Sequence, residues 1–321
     1  MPTEGKGSSR PPAAVRYIEV TAEEAGQRID NYLIARLKGV PKSHVYRIVR
    51  SGEVRINSKR VEASARVAAG DRIRIPPVRV AERDEDVPAP HFNLPIIFED
   101  EGFLAIDKPS GLAVHGGSGI AHGVIESLRS MRPEARFLEL VHRLDRETSG
   151  VLLVAKKRSV LTALHALIRS HDMEKYYLVG VKGRFRNELQ RVKASLAKHV
   201  NAKGDKRVSV SESGQSAETI FRRISRGAEF SLLEAELLTG RTHQIRVHAL
   251  HLGHPVLGDD KYGDFELNKA LRKRGLNRMF LHARALEFAH PVGGEKLRLE
   301  AALPRDLEAF RVAQMDEAEA E

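Results

Sequence analysis

Apolar side chains at Ile29, Leu33 and Leu37 fall four residues apart, a spacing that lays one stripe along an amphipathic helix. A second helix is predicted close behind. Val45, Ile48 and Val49 would face inward, Ser43 is placed to cap its start, and Gly52 can take the left-handed conformation that ends it. Val54 and Ile56, then Ile73 and Ile75, alternate with Arg55, Arg72 and Arg74, the pattern of half-buried strands. Residues 17–82 therefore read as one small domain of two helices and a short sheet, after a flexible tail over residues 1–16. A linker follows over residues 83–95, where charged residues give way to three prolines. From residue 96 to 315 the pattern predicts a second domain. Strands are expected at 96–98, 104–106, 138–141, 151–155, 177–181, 220–224 and 230–237, and helices at 160–168 and 243–252. Several of these strands are joined by short connections, so the expected class is α+β with a mixed, largely antiparallel central sheet. Residues 316–321 read as an acidic solvated end.

Length and composition narrow the picture. At 321 residues the chain can bury one substantial core plus a small module. No run of eighteen apolar residues occurs, and Met1 to Ala14 lacks the apolar run of a signal peptide, so a cytoplasmic, membrane-free protein is expected, with a monomer as the default. The absence of cysteine excludes disulfides, thiolate metal sites and a cysteine nucleophile. A formal net charge of +10 points to a polyanionic partner, because lysine and arginine gain affinity by releasing the counterions of phosphates. Residues 26–83 hold fourteen Lys or Arg against five Asp or Glu, so the charge is concentrated in the first domain. Lys42, Arg47 and Arg50 are left for the outer face of its second helix. A solvated face on a stabilising subdomain would show the same pattern, and both readings stand on charge alone.

The densest polar constellation is His142-Arg143-Leu144-Asp145-Arg146-Glu147-Thr148-Ser149-Gly150, held between two apolar strands. A loop anchored at both ends can hold a side chain stiffly, yet Asp, Thr, Ser and Gly are also ordinary turn formers. His243, His248, His251 and His254 lie within helical reach of one another and raise the question of a metal. No HExxH pattern or nearby carboxylate pair supports one, so no metal is expected. A glycosidase would need two separated carboxylates, and Asp145 and Glu147 are too close in sequence to be assigned that way. GxGxxG and phosphate-loop fingerprints are missing too, so no cofactor is expected.

The stretch His142 to Gly150 resembles the catalytic motif of the RluA and RluC type of ribosomal large-subunit pseudouridine synthases. Lys108-Pro109-Ser110-Gly111, Gly240 to His248 and Phe280-Leu281-His282-Ala283 match the same family in the same order, and Leu112 to Arg136 looks most like its C-type members. Residues 26–80 resemble the small S-four-like, or αL, RNA-binding module that usually accompanies it. Asp107 departs from the asparagine those members often carry. The resemblance implies isomerisation of uridine in 23S ribosomal RNA on the pseudouridine synthase fold, without cofactor. It implies that Asp145 is the essential carboxylate, that Arg246 favours its charged form, and that Tyr177 stacks on the target base. Arg143 would enter the space an everted base leaves, and Lys42, Arg47, Arg50, Lys59 and Arg60 would contact RNA. Attack at ribose carbon one, attack on the ring, and proton removal beside the anomeric carbon stay open as routes. A non-catalytic RNA-binding or ribosome-assembly factor on the same scaffold is the alternative.

Overall fold

In the computed structural model the described residues are 14–37, 40–78, 89–117, 120–200 and 205–315. The chain divides into one compact unit ending at Pro88 and a second beginning at Ala89. The first contains β1 (Arg16–Glu19), α1 (Ile29–Arg36), α2 (Lys42–Arg50), β2 (Arg55–Ile56), β3 (Lys59–Arg60) and β4 (Arg72–Ile75). Its strands form an antiparallel sheet in the order β1-β4-β2-β3. The helical stripe Ile29, Leu33 and Leu37 meets Val45, Ile48 and Val49 in one apolar core with Ile56, Ile73 and Ile75. Burying these side chains on one face leaves Lys42, Arg47 and Arg50 exposed on α2, with Lys59 and Arg60 exposed on β3.

Local differences from the sequence expectation have simple causes. Pro41, not Ser43, precedes α2, because proline's missing N–H costs nothing at a helix start; Ser43 lies within the first turn. Gly52 does take a positive φ, of 75°. Arg16, assigned to the tail, instead pairs with Ile75 in β1. Of the tail, residues 1–13 lie outside the described residues, as do residues 83–88 of the linker and the acidic end at 316–321. The remainder of the linker belongs to the second unit: Leu94 is buried in its core, Phe92 packs against it, and the Phe92 N–H donates to Ser127 Oγ at 3.0 Å.

The second unit runs β5 (Ile96–Glu99), β6 (Phe103–Lys108), α3 (Val124–Met131), β7 (Glu139–Leu140), β8 (Ser149–Ala155), α4 (Arg158–Ser170), β9 (Glu174–Lys182), β10 (Leu189–Lys193), β11 (Leu196–Val200), β12 (Lys206–Val210), β13 (Glu218–Arg226), β14 (Phe230–Leu237), α5 (Gln244–His251), α6 (Phe265–Lys273), β15 (Leu281–Ala289), β16 (Lys296–Glu300) and α7 (Arg305–Gln314). The main sheet has the order β10-β13-β14-β9-β15-β8-β6-β5, with β16 beside β15 and β7 beside β8. Every pairing in it is antiparallel except that of β15 with β8, which agrees with the expected mixed sheet. Cores form on both faces, because successive strand residues point to opposite sides. Leu152, Val154, Tyr177 and Val179 pack with Ile245 of α5 on one face; Val151, Leu153, Phe103 and Ala105 pack with Val160 and Leu164 of α4 on the other. β8 is therefore buried along its whole length. β11 and β12 form a separate hairpin, which packs on α5 through Leu196, Val208, Val247 and Tyr262. The elements absent from the sequence expectation are β1, β3, β10, β11, β12, β15, β16, α3, α6 and α7. The three longest of them, α7, α6 and β15, all lie after residue 264.

Candidate active site

The loop from His142 to Thr148 leaves the edge of β7 and returns into β8, and three sets of contacts hold it. Lys108, fully buried at the end of β6, donates from Nζ to the carbonyls of Pro109, Leu112 and Arg146 at 2.8, 2.8 and 3.0 Å. Burial draws its pKa down to about 7, while three carbonyl oxygens around one nitrogen match the three N–H groups of the ammonium form. Ser110 Oγ donates to the Glu147 carbonyl at 2.7 Å, and the Gly111 N–H to that of Arg146 at 2.9 Å. From the opposite side Arg278 Nη2 donates to Ser149 Oγ at 2.7 Å. His282 Nε2 faces the Ala301 carbonyl at 3.1 Å and so carries a proton, which makes Nδ1 the acceptor of the Ser149 hydroxyl at 2.9 Å. Gly150, at φ 109°, ends the loop where any Cβ would overlap the backbone of Ala283. The lysine, the serine and the glycine of the matched motifs thus serve one purpose, to fix the loop that carries Asp145.

Asp145 is presented by this loop into a cleft of about 900 Å³ that is also lined by Val114, Arg143, Tyr177, His243 and Arg246. Its side chain is 27% exposed, so one side is open to the cleft while the other is held by protein. Arg246 Nη1 donates to Asp145 Oδ2 at 2.7 Å. The rest of that guanidinium is committed to Asp259: Nε meets Oδ2 at 2.7 Å and Nη2 meets Oδ1 at 2.8 Å. Asp259 is itself buried and accepts the N–H groups of Lys261 and Tyr262 at 2.8 and 3.0 Å. Burial opposes the charge of Arg246, but its hydrogen bonds to Asp259 and the charges of Asp259 and Asp145 outweigh it and hold the pKa above the usual arginine value. In Asp259 burial raises the pKa and the arginine outweighs it, leaving the group below the ordinary aspartate range. The Tyr262 ring lies under the Arg246 guanidinium, 4.9 Å from its carbon to the ring centre.

Tyr177 sits on β9 between Ala235 of β14 and Ala283 of β15, buried and lining the same cleft. Burial and then the charge of Asp145 push its hydroxyl pKa up, so it stays a neutral phenol. Arg143 is exposed on the loop. Arg143, Arg169, Lys175 and Arg241 all line the cleft, and among the described residues none of them meets a carboxylate. The structure thus brings Asp145, Tyr177, Arg246 and Arg143 together; Lys42, Arg47, Arg50, Lys59 and Arg60 belong to the first unit. The histidines considered for a metal go to separate partners. His248 uses Nδ1 on Thr219 Oγ1 at 2.9 Å and Nε2 on the Ala194 carbonyl at 3.0 Å, and His254 meets the Lys182 carbonyl at 2.8 Å. Among the described residues no group of three or more His, Cys, Asp or Glu is placed to hold a metal ion.

The model of the RNA pseudouridylate synthase family matches residues 102–251, and that of the S4 domain matches residues 27–73. The ribosomal large subunit pseudouridine synthase C of Escherichia coli (strain K12) is 52% identical over 92% of this chain and 95% of its own length. The chain belongs to the RNA pseudouridylate synthase family. A relative of the same description from Haemophilus influenzae (strain ATCC 51907 / DSM 11121 / KW20 / Rd) is 50% identical over 93% of this chain and 94% of its own. Human RNA pseudouridylate synthase domain containing 4 superposes with a TM-score of 0.56 at 26% identity, covering 68% of this chain and 92% of that one. The human domain-containing 1 protein gives 0.58 at 24% identity, covering 71% and 91%, and shows the shared fold.

Sequence reasoning missed Asp259 and Tyr262, and read His243 only as a metal candidate or as a structural or RNA-facing side chain. Asp259-Asp260-Lys261-Tyr262-Gly263 reads as a plain polar turn. The available signal was donor arithmetic: an arginine buried beside one carboxylate has five N–H donors, and Asp145 can satisfy only part of them.

Proposed function

We propose that this chain isomerises uridine to pseudouridine in large-subunit (23S) ribosomal RNA, using Asp145 as its reacting carboxylate. The observation that carries the proposal is the 2.7 Å pair of Asp145 with a buried Arg246 in an open cleft that Tyr177 also lines. Breaking the bond from ribose carbon one to the base nitrogen and rejoining the base through ring carbon five requires no oxidant and no added group. What it requires is an ionised carboxylate beside the sugar, a surface for the detached base, and exclusion of water. Arg246 sets a full positive charge and a 2.7 Å hydrogen bond against one oxygen of the Asp145 carboxylate, leaving the other oxygen toward the cleft. Tyr177, uncharged and packed in a strand, offers a flat apolar face to a uracil. All three routes, attack on the sugar, attack on the ring and proton removal, draw on the same ionised group.

An RNA base must leave its stack to reach such a cleft, at a cost of roughly a few kcal/mol. Arg143, exposed on the catalytic loop, is suited to fill the vacated stack with its planar guanidinium. The exposed Lys42, Arg47, Arg50, Lys59 and Arg60 suit the first unit to hold phosphates. The relatives named as large-subunit synthases support that RNA as substrate, and a ribosomal target supports a cytoplasmic enzyme. Among the described residues no helix is long and apolar enough to cross a membrane.

The test is Asp145→Ala, with pseudouridine mapped in a large-subunit transcript and RNA binding measured alongside. Modification is expected to vanish while affinity survives. A retained yield of pseudouridine would overturn the proposal in favour of a non-catalytic RNA-binding protein.

A further inference from the structure

Arg246 occupies one oxygen of Asp145, and the other faces a different residue. His243 Nε2 lies 3.8 Å from Asp145 Oδ1, with the ring 18% exposed to the cleft. At its other end, His243 Nδ1 is 2.7 Å from the Tyr262 hydroxyl, which also accepts the Val208 N–H at 3.0 Å. These contacts set the direction of every proton in the chain. A backbone amide can only donate, so it takes an acceptor site of the phenol oxygen, and the phenol's own proton, for which Nδ1 is the one acceptor in reach among the described residues, goes to Nδ1. Nδ1 is then an acceptor, and Nε2 carries the imidazole hydrogen, aimed at the carboxylate.

His243 holds this geometry at a cost. It has φ 54° and ψ 23°, the left-handed region, immediately before α5. A non-glycine residue persists there where its surroundings over-determine it, and such residues cluster at functional sites. Burial lowers the His243 pKa, in keeping with a neutral ring whose Nδ1 is already occupied.

We propose that His243 is a positioning residue for Asp145, whose Nε2–H, set in that tautomer by the Tyr262 hydroxyl, holds Oδ1 while Arg246 holds Oδ2. The 259–262 turn then governs both oxygens, Asp259 through the arginine and Tyr262 through the histidine. At 3.8 Å the contact is longer than a hydrogen bond in the free enzyme, and contacts of this kind tighten in the substrate complex. With both oxygens held, the carboxylate cannot rotate away from the sugar when a base enters. The inference rests on the proposed isomerisation.

Glutamine and asparagine separate a placed donor from bulk. The amide nitrogen of glutamine reaches the place of Nε2, and that of asparagine the place of Nδ1. His243→Gln is therefore expected to keep kcat for pseudouridine formation within about threefold, while His243→Asn lowers it roughly ten- to a hundredfold with KM for the transcript unchanged. The left-handed backbone favours asparagine, so folding preference alone would produce the opposite order. Equal activities of the two variants, whether both high or both low, would overturn the proposal. Nitrogen-15 spectra of the wild-type histidine rings provide a reading that needs no variant to be active, with the His243 signal assigned by its loss in His243→Gln. The Nε2–H tautomer is expected at neutral pH, and Tyr262→Phe is expected to release it into a mixture. An Nδ1–H ring in the wild type, or a spectrum that Tyr262→Phe leaves unmoved, would defeat the inference. If Asp145→Ala stayed active, the proposed reaction would fall instead, and the tautomer would still be read independently.

Discussion

His282 shows how a single buried side chain ties the loop that carries Asp145 to solution conditions. Its ring is enclosed between Ser149 and the Ala301 carbonyl, and burial draws its pKa from 6.5 down to about 4. Because the folded value lies below the unfolded one, the unfolded chain takes up the proton first as pH falls. The contribution of neutral His282 is complete above pH 6.5 and is lost on acidification toward pH 4, about 3 kcal/mol in all. Urea unfolding at pH 7 and pH 4 should show that loss in the wild type, with His282→Gln losing less by about that amount. Equal acid sensitivity in the two proteins would mean that His282 titrates normally. At this scale residue types were legible in the sequence and their partners were not. Asp145 stood out as a carboxylate in a polar loop, whereas Arg246 and Asp259 lie 101 and 114 positions away from it along the chain.

Among the elements, those with strong periodicity were readable directly. α1, α2 and α4 carry apolar stripes, β8 carries an apolar run long enough for a strand buried on both faces, and β14 alternates Leu233, Ala235 and Leu237 with Glu234 and Glu236. β15 went unpredicted although Leu281, Ala283 and Ala285 alternate with His282 and Arg284, because alanine is a poor strand former and the alternation slips at Ala285-Leu286. It is a strand because β9 and β8 flank it and its histidine finds buried partners there, a tertiary effect that local propensity does not report. The Lys108 clasp belongs to this scale, since it joins the end of β6 to the loop before β8. Lys108→Met should remove three hydrogen bonds and leave buried carbonyls unmet, costing about 2–4 kcal/mol in chemical denaturation and lowering turnover through a loosened loop. Stability within about 0.5 kcal/mol of the wild type would show that the clasp is dispensable.

For the molecule as a whole, charge divides the labour between a basic module and a catalytic unit with its own core. The exposed cations of α2 should set affinity and its salt dependence, leaving the chemistry to Asp145. Replacing Lys42, Arg47 and Arg50 together by alanine is expected to weaken transcript binding and to reduce the slope of log affinity against log salt by about 2–3, with kcat at saturating RNA retained. An unchanged slope would mean that this face does not touch phosphate. The arrangement of modules was legible because charge and hydrophobic periodicity are properties of short windows. The sharing of residues 89–95 with the catalytic unit was not, since the burial of Leu94 depends on side chains far along the chain.

Taken alone, the amino-acid order determined the two-module organisation, the largely antiparallel sheet, the basic face, the polar loop around Asp145, and the motifs that relate the chain to its family. These are local patterns, or resemblances carried by local patterns, and they survive in one dimension. Tertiary structure alone decided that Lys108 caps the loop, that Asp259 commits Arg246 to a single bond with Asp145, and that Tyr262 turns His243 toward the second oxygen. Each of these depends on satisfying buried donors and acceptors across distant segments. Such requirements arise only once folding has removed the water that would otherwise meet them.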